Sequence, residues 1–160
     1  MSWDAIGAIG ELAGALGVVA SLVYLATQIR HSTSASNVEA KLTTTGLQAG
    51  IVDMLIADPA LNELLMRGIT STDDFTSEEF QRFSNLCMKT FWFYSAAHYQ
   101  LQTGMLSDDN WFETKSLLDW QLSGAGVRGW WRKAGSKRFQ GKFSEFIENE
   151  IRLVERQGET

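Results

Sequence analysis

From Ala5 to Ile29 the chain reads AIGAIGELAGALGVVASLVYLATQI, apolar or small at nearly every position. Glu11 is its only charge, and no proline interrupts it. A helix rises about 1.5 Å per residue, and a bilayer core about 30 Å thick takes roughly 20 apolar residues. Residues 1–30 therefore predict a single transmembrane helix. Trp3 before the run and Tyr24 near its far end stand where interfacial aromatics are expected. The same pattern would also suit the buried central helix of a soluble bundle.

The small residues of this run are ordered. Gly7, Gly10, Gly14, Gly17 and Ser21 follow spacings of three and four. At about 100° per residue they fall within roughly an 80° arc, opposite Ile9, Leu12, Leu16, Val19 and Val23. Lipid tails solvate leucine as well as another helix does, so helices meet in lipid where small side chains let backbones approach. The stripe thus predicts a homo-oligomer. Its three-four alternation favours a left-handed crossing. Glu11 lies beside the stripe. It reads either as an ion-handling group at a pore or as an interfacial carboxylate stabilised by the helix N-terminus.

The rest of the chain carries shorter helical patterns. Val38, Leu42, Leu47, Ile51 and Leu55 recur at helical spacing, after a polar stretch, His31 to Asn37, that is either a linker or helix continued. Asp58-Pro59 predicts an N-cap and first helical residue, with a stop at Gly68. Thr76-Ser-Glu-Glu79 is a capping box, opening a helix to about Thr103 with Gly104 beyond it. Phe80, Phe83, Cys87, Phe91, Tyr94, His98 and Leu101 line one face of that helix. Phe91-Trp-Phe-Tyr94 makes its middle apolar all round, which marks a central element. Ser107 caps the next helix, whose apolar side includes Trp111, Leu118, Trp120 and Leu122. A last helix is predicted from about Ser136 to Arg156. The fold class is all-α: one transmembrane helix over residues 1–30 and a cytoplasmic bundle of four or five helices over 31–160.

Composition narrows the chemistry. The net charge of −5 gives no bulk affinity for nucleic acid. A single cysteine, Cys87, allows no internal disulfide and no cysteine metal cluster. Arg30 and Lys41 follow the apolar run and Asp4 precedes it, which places the C-terminal side in the cytoplasm.

The opening Trp3-Asp4-Ala-Ile-Gly-Ala-Ile-Gly-Glu11-Leu-Ala-Gly14, running into Ser21-Leu-Val-Tyr-Leu25-Ala-Thr-Gln-Ile-Arg30, resembles a family of small proteobacterial proteins without an assigned activity. Arg82-Phe83, Tyr99, Gly104-Met-Leu, Trp111, Arg128-Gly-Trp-Trp131 and Phe143 extend the likeness over most of the chain. The resemblance implies a bacterial inner-membrane protein with one N-terminal glycine-rich helix and a helical C-terminal domain. It transfers no catalytic residue.

Few groups suggest chemistry. Arg128, Arg132, Lys133, Lys137, Arg138 and Lys142 interleave with Trp130 and Trp131, a pattern suited to an anionic membrane surface. The competing reading makes the aromatics core and the cations a solvated face. His98 lacks metal-ligand partners at visible spacing and reads as a core histidine. The paired acids Glu78-Glu79 and Asp108-Asp109 open helices and serve their caps. No nucleotide loop, nucleophile elbow or metal motif is present, so no catalytic residue, metal or cofactor is expected. Two functions remain: a self-associating membrane protein forming a small pore, or a membrane-anchored helical scaffold or sensor that binds a partner protein, a lipid or a small ligand.

Overall fold

A computed structural model describes residues 3–158; within its first helix the side chains of residues 3–10, Leu12, Ala13, Thr33, Ser34 and Ser36 lie outside the described set. Among the described residues the chain is all-α. The helices are α1 (Trp3–Ala57), α2 (Pro59–Thr70), α3 (Ser77–Gln102), α4 (Asp108–Ser123), α5 (Ala125–Lys133) and α6 (Gly141–Gly158). A short 3₁₀ turn, Gly135–Lys137, follows α5. The chain divides into two compact units, residues 1–39 and 40–160. That boundary falls nine residues later than the one read from the apolar run.

The polar stretch after Ile29 is helix, not linker, and α1 continues through it. Hydroxyls along α1 bond back to its own carbonyls: Ser21 to Gly17, Thr27 to Tyr24 and Thr44 to Ala40. Such bonds satisfy the serines and threonines without breaking the helix. The helix stops where proline forbids continuation. Asp58 is extended, and its carboxylate accepts from the Leu61 amide at 3.1 Å.

Gly68 does not end α2, which runs on to Thr70. The glycine serves packing instead. A Cβ there would lie 2.4 Å from the Phe83 ring. The capping box forms as expected: the Thr76 hydroxyl accepts from the Glu79 amide, and the Glu79 carboxylate accepts from the Thr76 amide at 2.9 Å. These bonds, with Arg67 beside it, hold the Glu79 carboxyl below its ordinary value. Gly104 takes a left-handed φ of 72°, closing α3 so that Met105 bonds back to Gln100.

The last helix begins at Gly141, not at Ser136. Gly135 packs against the Trp130 and Trp131 rings, and the chain turns there before Gly141, at φ 66°, starts α6. Phe139 is therefore off the helix yet still buried.

The second unit has one core, with α3 at its centre. Phe83, Phe91, Trp130, Trp131, Leu118, Leu122 and Ile147 have no exposed surface. The Phe91 ring lies 5.0 Å from Trp130 and 5.3 Å from Trp131, which stacks in turn on Phe139. Aromatic pairs at such distances add about 0.5–1.5 kcal/mol each beyond their area burial. The segment from residue 40 onward in α1 joins this unit. Thr44 is buried, and its hydroxyl, shared with the Ala40 carbonyl, lies 3.0 Å from the Gln100 side-chain amide.

No helix among the described residues is long and apolar enough to cross a membrane. The run from Ala5 to Ile29 extends beyond that set, since residues 5–10, Leu12 and Ala13 belong to it.

Candidate functional site

The first unit presents an unusual surface for a helix. Leu16, Val18, Val19, Leu22, Val23, Tyr24, Leu25 and Ile29 are each more than half exposed. At about 100° per residue they surround α1 except for an arc of roughly 100° that holds Gly14, Gly17, Ser21 and Gln28. A helix on the surface of a water-soluble domain is polar on the side facing water. Between Gly14 and Ile29 this one carries no charge, and its one side without bulky apolar residues is narrow and mostly small.

The glycine stripe lies within it. A Cβ added at Gly14 or Gly17 would meet nothing within 4 Å, so the stripe is open. Ser21 is exposed, its hydroxyl turned back to the Gly17 carbonyl at 2.9 Å. Gly7 and Gly10 sit on the same helix, but their surroundings lie outside the described residues. Glu11 is exposed.

The basic segment is divided by the fold. Trp130 and Trp131 are wholly buried, so neither ring is available to a membrane surface. This corrects the aromatic half of that expectation. Alternation in sequence placed rings and cations together, but α5 turns its rings onto α3. Trp130 donates its indole hydrogen to Ser84 at 2.8 Å, and Trp131 donates to Glu148 at 2.6 Å. Arg128 donates to the Leu122 and Ser123 carbonyls, capping α4, and pairs with Glu155. Arg132 pairs with the same carboxylate. Lys133 lies over the Phe80 ring at 5.7 Å. Lys137, Arg138 and Lys142 remain exposed.

His98 is buried among aromatics. Its ring stacks on Phe146 at 4.8 Å, with Trp111 and Phe143 beside it. Burial, then the Lys142 cation, lowers its pKa from the ordinary 6.5. Cys87 is buried in the core, which pushes its thiol well up. Among the described residues no cluster of histidine, cysteine and carboxylate side chains could hold a metal ion.

The sequence reading missed a cleft in the second unit. The last turns of α1, with α2, α3 and α4, enclose a space of about 170 Å³ walled mainly by Ile51, Leu55, Leu65, Phe93 and Trp120. Trp120 was assigned to the apolar side of α4, yet it is 47% exposed at the cleft's edge. That a tryptophan stands half in water was the one sign of an opening, and it is invisible in a helical pattern.

No protein-family model, curated protein or solved structure matches this chain.

Proposed function

We propose that this chain is a self-associating single-pass membrane protein, with Ala5–Ile29 held in a bacterial inner membrane and the bundle in the cytoplasm. The observation that carries the reading is the exposure of bulky apolar side chains around α1 from Leu16 to Ile29, on every side but that of the glycine stripe. Water opposes that exposure at about 25 cal/mol per Å² of apolar surface, whereas lipid tails or copies of the same helix remove it. The open stripe at Gly14 and Gly17 gives copies a place to approach closely. Arg30 and Lys41 favour a cytoplasmic C-terminal side.

Within it, a ring of copies with Glu11 near the axis would make a small pore. The second reading is an anchored binding module, favoured by the apolar cleft of the second unit. The light-scattering mass of the detergent-extracted full-length chain, corrected for detergent, separates them. A discrete ring-sized mass supports the pore, and Glu11→Gln should then alter conductance in planar bilayers. A monomer or dimer supports the anchored module. Gly14→Leu should lower the mass in either case where copies associate, and an unchanged oligomer would refute the stripe. A chain that stays monodisperse without lipid or detergent would refute the membrane reading itself.

A further inference from the structure

The cleft of the second unit holds two polar groups with nothing in the protein to bond. Tyr94 and Gln121 both line it, and both are more than nine-tenths buried. Among the described residues neither the Tyr94 hydroxyl nor the Gln121 amide has a hydrogen-bond partner. Every fully enclosed polar side-chain atom, by contrast, has one. Both residues line the cleft, and their polar ends are not among the fully enclosed atoms. Thr90, the other buried polar residue of the wall, is already satisfied by the Cys87 carbonyl at 3.0 Å.

Charge narrows what would fit. The remaining polar residues of the wall are Gln48 and Asn62, and no Asp, Glu, Lys or Arg lines the cleft. Lys89 borders a neighbouring shallow groove that shares Ile51 and Phe93, but not this one. An ion entering the cleft would lose water and gain no counter-charge. A neutral head that donates and accepts would keep its bonds, to the tyrosine hydroxyl and the glutamine amide. The apolar walls would take the body of the molecule. Ligand sites commonly combine an apolar cleft with a few placed polar groups.

We propose that this cleft binds a small uncharged amphiphile: an apolar ring or short chain bearing one hydroxyl or amide that meets Tyr94 and Gln121. The site is independent of whether α1 spans a membrane.

The test uses three fluorinated probes with one ring and different heads: 4-fluorobenzyl alcohol, 4-fluorobenzoate and 4-fluorobenzylammonium. Their ¹⁹F lines are followed as the full-length chain is added in lipid nanodiscs, with empty nanodiscs subtracted. The alcohol should broaden and both ions should not. Gln121→Leu and Tyr94→Phe should each weaken alcohol binding about fivefold or more, the usual effect of removing one buried hydrogen bond. Neither variant loses a bond within the protein, so near-UV circular dichroism should stay native. Val52→Trp, at the half-exposed rim, should fill the cleft and abolish binding. Equal broadening by all three probes, no broadening by the alcohol, or native affinity in both polar variants would overturn the proposal. A cleft that proves to be occupied by a partner helix or a lipid chain, excluding the alcohol, would overturn it as well.

Discussion

The indole of Trp130 donates to the Ser84 hydroxyl at 2.8 Å in the centre of the bundle. Trp130 has no exposed surface, and among the described residues Ser84 is the one hydrogen-bond partner of its indole. The bond ties α5 to α3 at a point water does not reach. Ser84→Ala leaves a buried indole hydrogen unsatisfied, which should cost about 1–3 kcal/mol. Urea unfolding followed by tryptophan fluorescence measures it. A loss near zero would mean that water replaces the serine and that the core is wetter than its packing indicates.

Two glycines of α5 should respond in opposite ways to alanine. A Cβ at Gly126 would stand 1.9 Å from the Gly68 carbonyl oxygen. The obstacle is backbone, so no side chain can swing aside, and α2 and α5 would have to separate. We expect Gly126→Ala to destabilise by about 1–3 kcal/mol or more. At Gly129 nothing lies within 4 Å, and alanine is the better helix former by about 1 kcal/mol. Gly129→Ala should therefore raise the melting temperature. If Gly126→Ala raises it as well, the close approach of α2 and α5 is wrong.

Stability should depend on pH through His98. Burial, then the nearby Lys142 cation, lowers its pKa below the ordinary 6.5. The unfolded chain then binds more protons than the folded chain just below pH 6.5, so stability falls as the pH drops through that region. Above 6.5 the contribution is fully present. His98→Phe keeps a ring against Phe146 and removes the proton site. The variant should lose less stability than the parent between about pH 6.5 and 5, the range in which an ordinary histidine takes up its proton. Parallel curves would show that His98 takes up its proton alike in the folded and unfolded chain.

Cys87 should resist modification. It is 2% exposed, and burial raises its thiol far above the ordinary range. The thiolate is the reactive species. Native protein at pH 8 should react with a disulfide reagent only as fast as the core opens, and urea should release a single rapid equivalent. Prompt labelling of the native chain would place the thiol at the surface.

The local signals in the sequence were strong where one residue type has one physical use. Asp58 with Pro59, Thr76 with Glu79 and Ser107 each predicted a helix start, and each caps one. The apolar middle of α3 predicted a helix with neighbours all round, but only Phe91, Phe93 and Tyr94 are covered, and Trp92 is 62% exposed. Gly68 misled because glycine has two uses. It ends helices, and it also lets another element come close; only the Phe83 ring against it shows which applies. The Ser136 start failed for a similar reason. The apolar spacing from Phe139 to Val154 continued unbroken, but Gly135 and Gly141 impose a turn that hydrophobic period does not record.

By itself the sequence determined the helical class, most of the helix starts and the apolar character of residues 5–29. These follow from backbone chemistry and from side chains a few positions apart. Tertiary structure alone decided that Trp130 and Trp131 face inward while the neighbouring cations face out. It alone brought Tyr94 and Gln121 to one cleft. Residues 27 positions apart in sequence become neighbours only when α3 and α4 pack, and no local pattern encodes which polar group will be left without a partner.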